Sequence, residues 1–595
     1  MQPILIEHTP FARAGSFMTF SVLPPAWGHE GLLLRTMHRK QFHETFRIRL
    51  FRHGENVPYR VEATATLATL TPEDGRGGSA EICLPETDVA RIRVSGGLSL
   101  TLVSIIEGKG IYAFPLADGV VNVNSSGNGI QYRIFPHRGS LDMDMPVHIG
   151  DHVRSQKKDP PKPPSKASLP VEGRFTPDAE GKIEFTLQEY VMTPPPVATL
   201  DKSFEDCLAA AEDDWQTWLA TTPEVAGEYQ EAAELASHVN YASTVGAWGF
   251  LKKPTTLMSR NWMTSCWSWD HCFNAIAYAH RNSDTAWDQL NVHFHLQEPG
   301  GCLPDGVNAE VCGWNFCKPP IHGWALNLME QANPGLLEEE RLRDFYPKLC
   351  RWTEWWFEAR DADGDGLPEY RHGNDSGWDN STAFDVGFPN CAPDLQGHLV
   401  TQMDQLARMA DRLGLDAEAA AWRDRLDRHV ERTIERLWDE ESGQFRAFQA
   451  FSGKREETGE SLLNHMIIVM GEHLPQPYRD RVADYLRPDG PFVTEYGPAT
   501  EAPGSPKYLY SGYWRGAVWP SSTVLLIDGL WRGGYAGQAR EIARRYCEMA
   551  KKTLTFAENY DPLSGDPLCD KAYTWGSSGF LILANWLKTR GEEQS

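Results

Sequence analysis

The sequence predicts a multidomain fold: an N-terminal β-sandwich over residues 1–200, a linker helix over 201–222, and an all-α (α/α)6 barrel over 223–595. Three observations carry this expectation. The hydrophobic period switches from alternation to helical spacing near residue 203. Twelve helical stretches follow, and the connections between them alternate between tight and long.

In the N-terminal region, "VEATATLATL", "GLSLTLVSI" and "GKIEFTLQEY" alternate apolar with polar residues or are rich in β-branched ones, as strands are. "EDGRGG" and "NSSGNG" supply turns between them. "SQKKDPPKPPSKASLP" (155–170) holds too much proline and charge for a regular element and is expected to be an exposed loop. "SFEDCLAAAEDDWQTWLA" then forms an amphipathic helix with Ser203 as N-cap.

The later stretches fall near 227–248, 268–281, 284–295, 319–333, 339–358 and 394–413, then 415–438, 459–471, 475–486, 516–532, 535–553 and 573–589. In the sixth, Leu399, Met403, Leu406, Ala410 and Leu413 recur at steps of four and three, one buried stripe. Connections after odd-numbered stretches are long: 249–267, 296–318, 359–393, 439–458, 487–515 and 554–572. In an up-and-down array all of these emerge at one end. Long loops in a compact domain are usually functional.

Composition narrows the function. Charged residues are 23 % and hydrophobic ones 41 %, the profile of a soluble globular protein. No apolar run is long enough to span a bilayer, and the start "MQPILIEHTPFARAG" lacks a secretion signal, so a cytoplasmic location is expected. The net charge of −24 argues against nucleic acid or an anionic membrane as partner. Eleven scattered cysteines suit reduced, buried thiols. Cys312 and Cys317 of "CGWNFC", with His322 nearby, lack the second ligand pair a zinc site needs.

The long loops share one composition. The first ends in "NWMTSCWSWDH", with Trp267, Trp269, Asp270 and His271; the second holds Asp305, Glu310 and Trp314 and ends at Lys318. The third is "DADGDGLPEYRHGNDSGWDNS", with Asp375, Trp378 and Asp379. The fifth carries Glu495, Glu501, Tyr513, Trp514, Arg515 and Trp519, and the sixth Glu558, Tyr560 and Asp561. A single tryptophan is more often a core residue. Five such loops at one mouth point instead to a sugar, whose C–H faces lie on flat rings while its hydroxyls need fixed polar partners. A small carbohydrate substrate is therefore expected, with no cofactor required.

Glycosidic cleavage takes two carboxyl groups, one protonated and one ionised. Asn374, Gly377 and Asn380 favour turns, so Asp375 and Asp379 belong to a loop and approach a substrate from one side. Inversion needs its partner on the other side, roughly 6.5–9.5 Å away, with room for water. The sixth loop, adjoining the first around the ring, offers Glu558. The expected pair is Asp379 as acid and Glu558 as base. Asp375 then binds a hydroxyl, orients neighbours, or simply forms the turn.

The chain at this point resembles the inverting (α/α)6-barrel glycosidases of glycoside hydrolase family 63, with the family 37 trehalases as cousins. "DSGWDNS" is similar to the (E)SG(M/W)DNS segment and "ENYDPLSG" to the E-x-Y-(D/N)-P-x-(S/T)-G segment, which implies that Asp379 is the acid and Glu558 the base. "YWRGAVWP" (513–520) and "PPIHGWAL" (319–326) resemble two further family segments, and "WSWDH" implies Trp269 and Asp270 in the subsite of the cleaved sugar. The resemblance covers about 260–580. Asp375, Phe384 and "CKPP" depart from the usual residues. The implied reaction is hydrolysis of an α-glycoside with inversion, most simply an α-glucoside; relatives also cleave mannosylglycerate or glucosylglycerate. Arg515 is a candidate to bind a hydroxyl, to hold Glu558 ionised, or to pair with a structural carboxylate. Arg260, Lys318 and Arg371 are candidate cations for an anionic aglycone. "DADGDGLPEY" resembles the start of a calcium loop, with Asp361, Asp363, Asp365 and Glu369 as ligands of a structural calcium, though the distant glutamate is missing. A glycoside phosphorylase and a non-catalytic sugar-binding protein are the alternatives.

Overall fold

The computed structural model describes residues 2–24, 30–40, 43–105, 111–144 and 170–591, so the proline-rich segment 155–169 lies outside the described residues. The chain divides into two compact units, Met1–Ala220 with Tyr241–Gly249 and Asn308–Glu310, and Thr221–Asn240 with Phe250–Val307 and Val311–Ser595.

The first unit is sheet-rich. One antiparallel sheet runs Met18–Val22, Leu32–Thr36, Glu44–Arg52, Ser99–Ser104, Glu172–Thr176, Ser140–Met143, with Glu55–Val57 pairing Glu44–Arg52. The other runs Ile111–Pro115, Val121–Ser125, Ile130–Arg138, Ile183–Tyr190, Val89–Val94, Ala80–Glu86, Leu67–Pro72, Tyr59–Ala63. The two touch through their buried faces: Phe175 stacks on Phe185 at 3.9 Å, and Phe46 meets Tyr132 edge-on at 5.4 Å. Strand alternation in the sequence is this burial read directly. Helix α1 (Phe204–Leu219) starts at Ser203, whose hydroxyl accepts from the Asp206 N–H in a capping box. It packs on Ala80–Glu86 and Val89–Val94 within this unit.

The second unit is helical: α2 (Gln230–Ser243), α3 (Asp270–Ala279), α4 (Ser283–Asn291), α5 (His322–Ala332) and α6 (Glu339–Ala359), then a single turn, α7 (Gly373–Ser376). There follow α8 (Pro393–Arg412), α9 (Asp416–Leu437), a 3-10 segment Leu462–His473, α10 (Gln476–Tyr485), α11 (Pro520–Arg532), α12 (Ala536–Thr553) and α13 (Thr574–Gly591). Each expected stretch is therefore helical, α8 and α11 opening on proline at the first turn, where its missing N–H costs nothing. Six segments contact one another in a closed cycle: α3, α5, α8, Leu462–His473, α11, α13 and back to α3. These six are buried on most sides. α9 and α12 keep one polar face, as members of an outer layer do.

The eighth stretch departs from the expected α-helix. "LLNHMIIVMGEH" winds as a 3-10 helix and breaks at Gly471. Its neighbours come very close: a Cβ on Gly529 of α11 would lie 2.5 Å from the Ile468 carbonyl oxygen, and one on Gly397 of α8 would lie 2.6 Å from Val469. The β-branched run Ile467–Val469 disfavours regular α-helix, and the two glycines admit the tighter winding.

The long loops are laced together. Cys266–Trp267 pairs with Gly306–Val307, joining the first loop to the second. The Cys317 N–H reaches Asp375, joining the second to the third. Asn390–Cys391 pairs with Phe448–Gln449, Ser461 bridges Glu501, and Val518 bridges Tyr560. The Thr574 N–H donates to the Met258 carbonyl, which returns the chain of contacts to the first loop. All six loops thus form one belt at one end of the cycle.

Candidate active site

The belt brings Asp379 and Glu558 into one electrostatic neighbourhood, the Asp379 charge acting on Glu558. Asp379 follows the turn α7 and Gly377, which adopts φ +72°. That conformation suits glycine, and a Cβ there would also lie 2.5 Å from the Trp269 ring. The "SGWD" pattern is thus a close approach of the Asp379 loop to a tryptophan. Asn380 fixes the other side: its Oδ1 accepts from the Trp514 N–H at 3.0 Å, and its Nδ2 donates to the Gly512 carbonyl at 3.0 Å. Ser381 and Thr382 bond Ser461 and Glu501, so Glu501 is a buried tie between loops.

Burial pushes the Asp379 carboxyl above its ordinary value, against the pull of the Lys318 ammonium and with help from Asp305. Burial, and then the Asp570 charge, push Glu558 up to about 7. Glu558 is 5 % exposed. Its Oε1 accepts from the Tyr513 hydroxyl at 3.1 Å and its Oε2 from the Asp570 N–H at 3.3 Å. In the resting site the Lys318 ammonium disfavours a proton on Asp379, so a proton shared by the pair favours Glu558.

Beneath them lies a bed of indoles. Trp514 stacks on Trp519 at 3.8 Å and contacts Trp378 at 4.7 Å; Trp575 touches both Trp519 and Trp269 edge-on. All five are buried. Asp270 opens α3 beside them. Its Oδ1 accepts from the Tyr573 hydroxyl at 3.3 Å, its Oδ2 has no partner, and burial raises its carboxyl to about 7. A buried acceptor without a donor is a ready partner for a sugar hydroxyl.

Lys318 is buried, with Nζ 3.0 Å from Asp305 Oδ1 and donating to the Asn374 carbonyl. Its charge stays on: Asp305, Asp379 and Asp270 together outweigh the cost of burial. Asp375 is fully engaged in orienting neighbours, accepting from Arg360 at 2.8 Å, the Arg371 N–H at 3.0 Å and the Cys317 N–H at 3.1 Å. Trp267 is half-buried, and Trp314 is 49 % exposed in the second loop.

Several expected roles are corrected. His271 is fully buried, its Nδ1 against the Trp267 carbonyl at 3.0 Å and its ring 4.5 Å from His293 and 5.2 Å from His322. It packs in the interior and offers a sugar no edge. Tyr560 is likewise inside, its hydroxyl accepting from the Ala557 N–H at 2.9 Å. Arg515 does not hold Glu558. It pairs with Asp385 at 2.6 Å and donates to the Asn380 carbonyl at 2.8 Å. Arg260 is buried, and Arg371 donates its guanidinium to the Ala359 carbonyl.

In the acidic turn, Asp361, Asp363 and Glu369 bring carboxylate oxygens within 4.8 Å of one another. Glu369 Oε1 and Asp361 Oδ1 lack partners, and burial raises Glu369 to about 7. These three fit a hard cation. Asp365 does not join them, because it pairs with Arg436 at 2.8 Å.

Residues that motif reading left out of the site are Asp305, Asp570 and Tyr573. Asp570 joins the first and sixth loops, accepting from the Trp262 and Met263 N–H groups at 3.1 Å each.

A half-buried carboxyl acting on a buried one over an indole bed, beside an unpartnered carboxylate oxygen, is the equipment of a glycoside hydrolase. The comparisons agree. The model of the mannosylglycerate hydrolase MGH1-like glycoside hydrolase domain matches residues 263–576, so the chain belongs to that family, within glycoside hydrolase family 63. The mannosylglycerate hydrolase MGH1 of Selaginella moellendorffii is 23 % identical over 407 residues, covering 54 % of this chain and 80 % of that protein. The glucosylglycerate hydrolase of Mycolicibacterium hassiacum is 24 % identical, covering 54 % and 91 %. Among solved structures, the family 63 mannosylglycerate hydrolase of Thermus thermophilus in complex with glucose superposes with a TM-score of 0.51 at 21 % identity, covering 58 % of this chain and 98 % of that one. A bacterial glucoamylase complexed with acarbose reaches 0.58 at 13 % identity, covering 97 % and 94 %. No helix among the described residues is long and apolar enough to cross a membrane.

Proposed function

We propose that this glycoside hydrolase is an inverting, exo-acting α-glycosidase, built on an (α/α)6 barrel with an N-terminal β-sandwich, and that its substrate is a small α-glucoside. The observation that carries the reading is the nearness of Asp379 and Glu558 from the third and sixth loops, the first half-buried and the second buried, both with raised carboxyls, the Asp379 charge acting on Glu558. Asp379 donates its proton to the glycosidic oxygen as the C1–O bond breaks. Glu558 takes a proton from a water that attacks C1 from the opposite face, which inverts the anomeric centre. Among the described residues no side chain hydrogen-bonds the Asp379 carboxyl, which leaves it available to the leaving oxygen. Tyr513 and the Asp570 N–H aim Glu558, and Asp270 Oδ2 receives a hydroxyl of the cleaved sugar. The names of the relatives favour a second reading, a hydrolase of mannosylglycerate or glucosylglycerate.

Anomer-resolved proton NMR on a panel of α-glucosides, α-mannosides and their glycerate conjugates tests the proposal. The expected first product is the β-anomer, at a rate indifferent to phosphate. An α-anomer at the earliest times, or cleavage that requires phosphate, overturns it. In the acidic turn we place a structural calcium on Asp361, Asp363 and Glu369, without Asp365.

A further inference from the structure

Resting on that reading of the site, we infer that its leaving-group side takes a neutral, ring-bearing aglycone, such as a second sugar, and disfavours a carboxylate such as glycerate. The first ground is charge. The cation that acts on Asp379 from the bed of the site is Lys318, and it is already matched by Asp305 at 3.0 Å and the Asn374 carbonyl. Asp270, Asp305, Asp379, Glu558 and Asp570 all act within this cluster. A further carboxylate brought to Asp379 meets an acidic surplus in which the Lys318 charge is already engaged.

Two other cations near these loops are also committed. Arg515 pairs with Asp385, and Lys571, which acts on Glu558 and so lies on the base's side, donates to the Pro567 and Cys569 carbonyls.

The second ground is shape. His372 stands beside the Asp379 segment: a Cβ on the next residue, Gly373, would sit 1.8 Å from the Asp379 carbonyl oxygen. The His372 ring stacks with Phe316 at 4.7 Å and with Phe388 at 6.1 Å, with interplanar angles of 23° and 14°. Its Nδ1 accepts from the Asn374 N–H at 3.1 Å, which leaves Nε2 as the ring's free polar edge. His372 is exposed and both phenylalanines are half-exposed. Three near-parallel rings at the acid's shoulder, with one polar ring edge, match the face and hydroxyls of a pyranose.

A matched pair of substrates tests this. The glycerol and glycerate conjugates of one sugar differ only in CH2OH against COO−, and a disaccharide supplies the ring. Binding is read by tryptophan fluorescence with the Glu558→Gln variant, and kcat/KM with the wild type. The glycerol conjugate should bind at least tenfold more tightly than the glycerate, and the disaccharide more tightly still. Asp305→Asn, which unpairs Lys318, should narrow the gap between glycerol and glycerate; Phe316→Ala should weaken the disaccharide alone. Equal or tighter binding of the glycerate conjugate by the unaltered Asp305 site overturns the inference, whatever the variants do. The expected binding order without hydrolysis by the wild type overturns the hydrolase reading and leaves this inference standing. Binding of none of the three overturns both.

Discussion

Replacing Gly377 with alanine probes how the acid is held. Its φ of +72° costs an L-residue about 1–2 kcal/mol. The new methyl would lie 2.5 Å from Trp269 Cζ2, where carbon–carbon contacts settle near roughly 3.5–4 Å, so one partner must move by about 1 Å. Trp269 is buried against Trp575 and Trp514 and cannot retreat. Overpacking of this kind adds about 1–3 kcal/mol, for a total near 2–5 kcal/mol. The acid's segment, two residues on, is the part free to shift, and a displacement of about 1 Å costs on the order of a hundredfold in rate. Thermal unfolding and kcat/KM on the best substrate are the assays. Gly387→Ala is the control: its φ is +95° but nothing lies within 4 Å of its Cβ, so it should lose about 1 kcal/mol and no activity. If Gly377→Ala keeps full kcat/KM and loses no more stability than the control, the close approach of this loop to Trp269 does not position the acid.

Four further outcomes follow from the same geometry. The carboxyl pair titrates as a unit, and the active form holds one proton; Glu558 is raised to about 7, so kcat/KM should fall as pH rises through about 7, and fall again at acid pH when both groups are protonated. A flat profile from pH 7 to 9 contradicts this. Asp570→Asn removes a charge that pushes Glu558 up, so the alkaline limb should move to lower pH; an unmoved limb shows that Asp570 does not tune the base. Gly529→Ala brings a methyl within 2.5 Å of the Ile468 carbonyl and should destabilise by about 1–3 kcal/mol in chemical denaturation, and an unchanged midpoint refutes the close packing. Calcium added to chelator-treated protein should raise Tm, and Asp363→Asn should abolish the rise; a Tm indifferent to calcium removes the site.

The helical array was legible because its signal is repeated. Twelve apolar stripes and an alternation of loop lengths survive errors of several residues at each boundary. Asp379 and Glu558 were legible for another reason: each sits in a segment whose glycines and asparagines have local jobs, such as Gly377 against Trp269 and Asn380 across to Trp514. What escaped depends on pairing across the chain. Nothing near Lys318 in sequence announces that Asp305 matches its charge, and nothing near Glu558 shows Asp570 pressing on it. His271 ends the polar and aromatic segment "NWMTSCWSWDH", yet one step along a helix from Asp270 turns a side chain by about 100°, here into the interior beside His293 and His322. Leu462–His473 carried an ordinary helical pattern, and its tighter winding is allowed by Gly397 and Gly529 on other helices.

The division of labour between the two carboxyls can be read from leaving groups. An α-glycosyl fluoride leaves without protonation, whereas an alkyl glycoside does not. Asp379→Asn should therefore be severely impaired on the alkyl glycoside and largely restored on the fluoride, while Glu558→Gln stays impaired on both because the water still lacks its base. Equal impairment of Asp379→Asn on the two substrates, or recovery of Glu558→Gln on the fluoride, would contradict the assignment of acid and base.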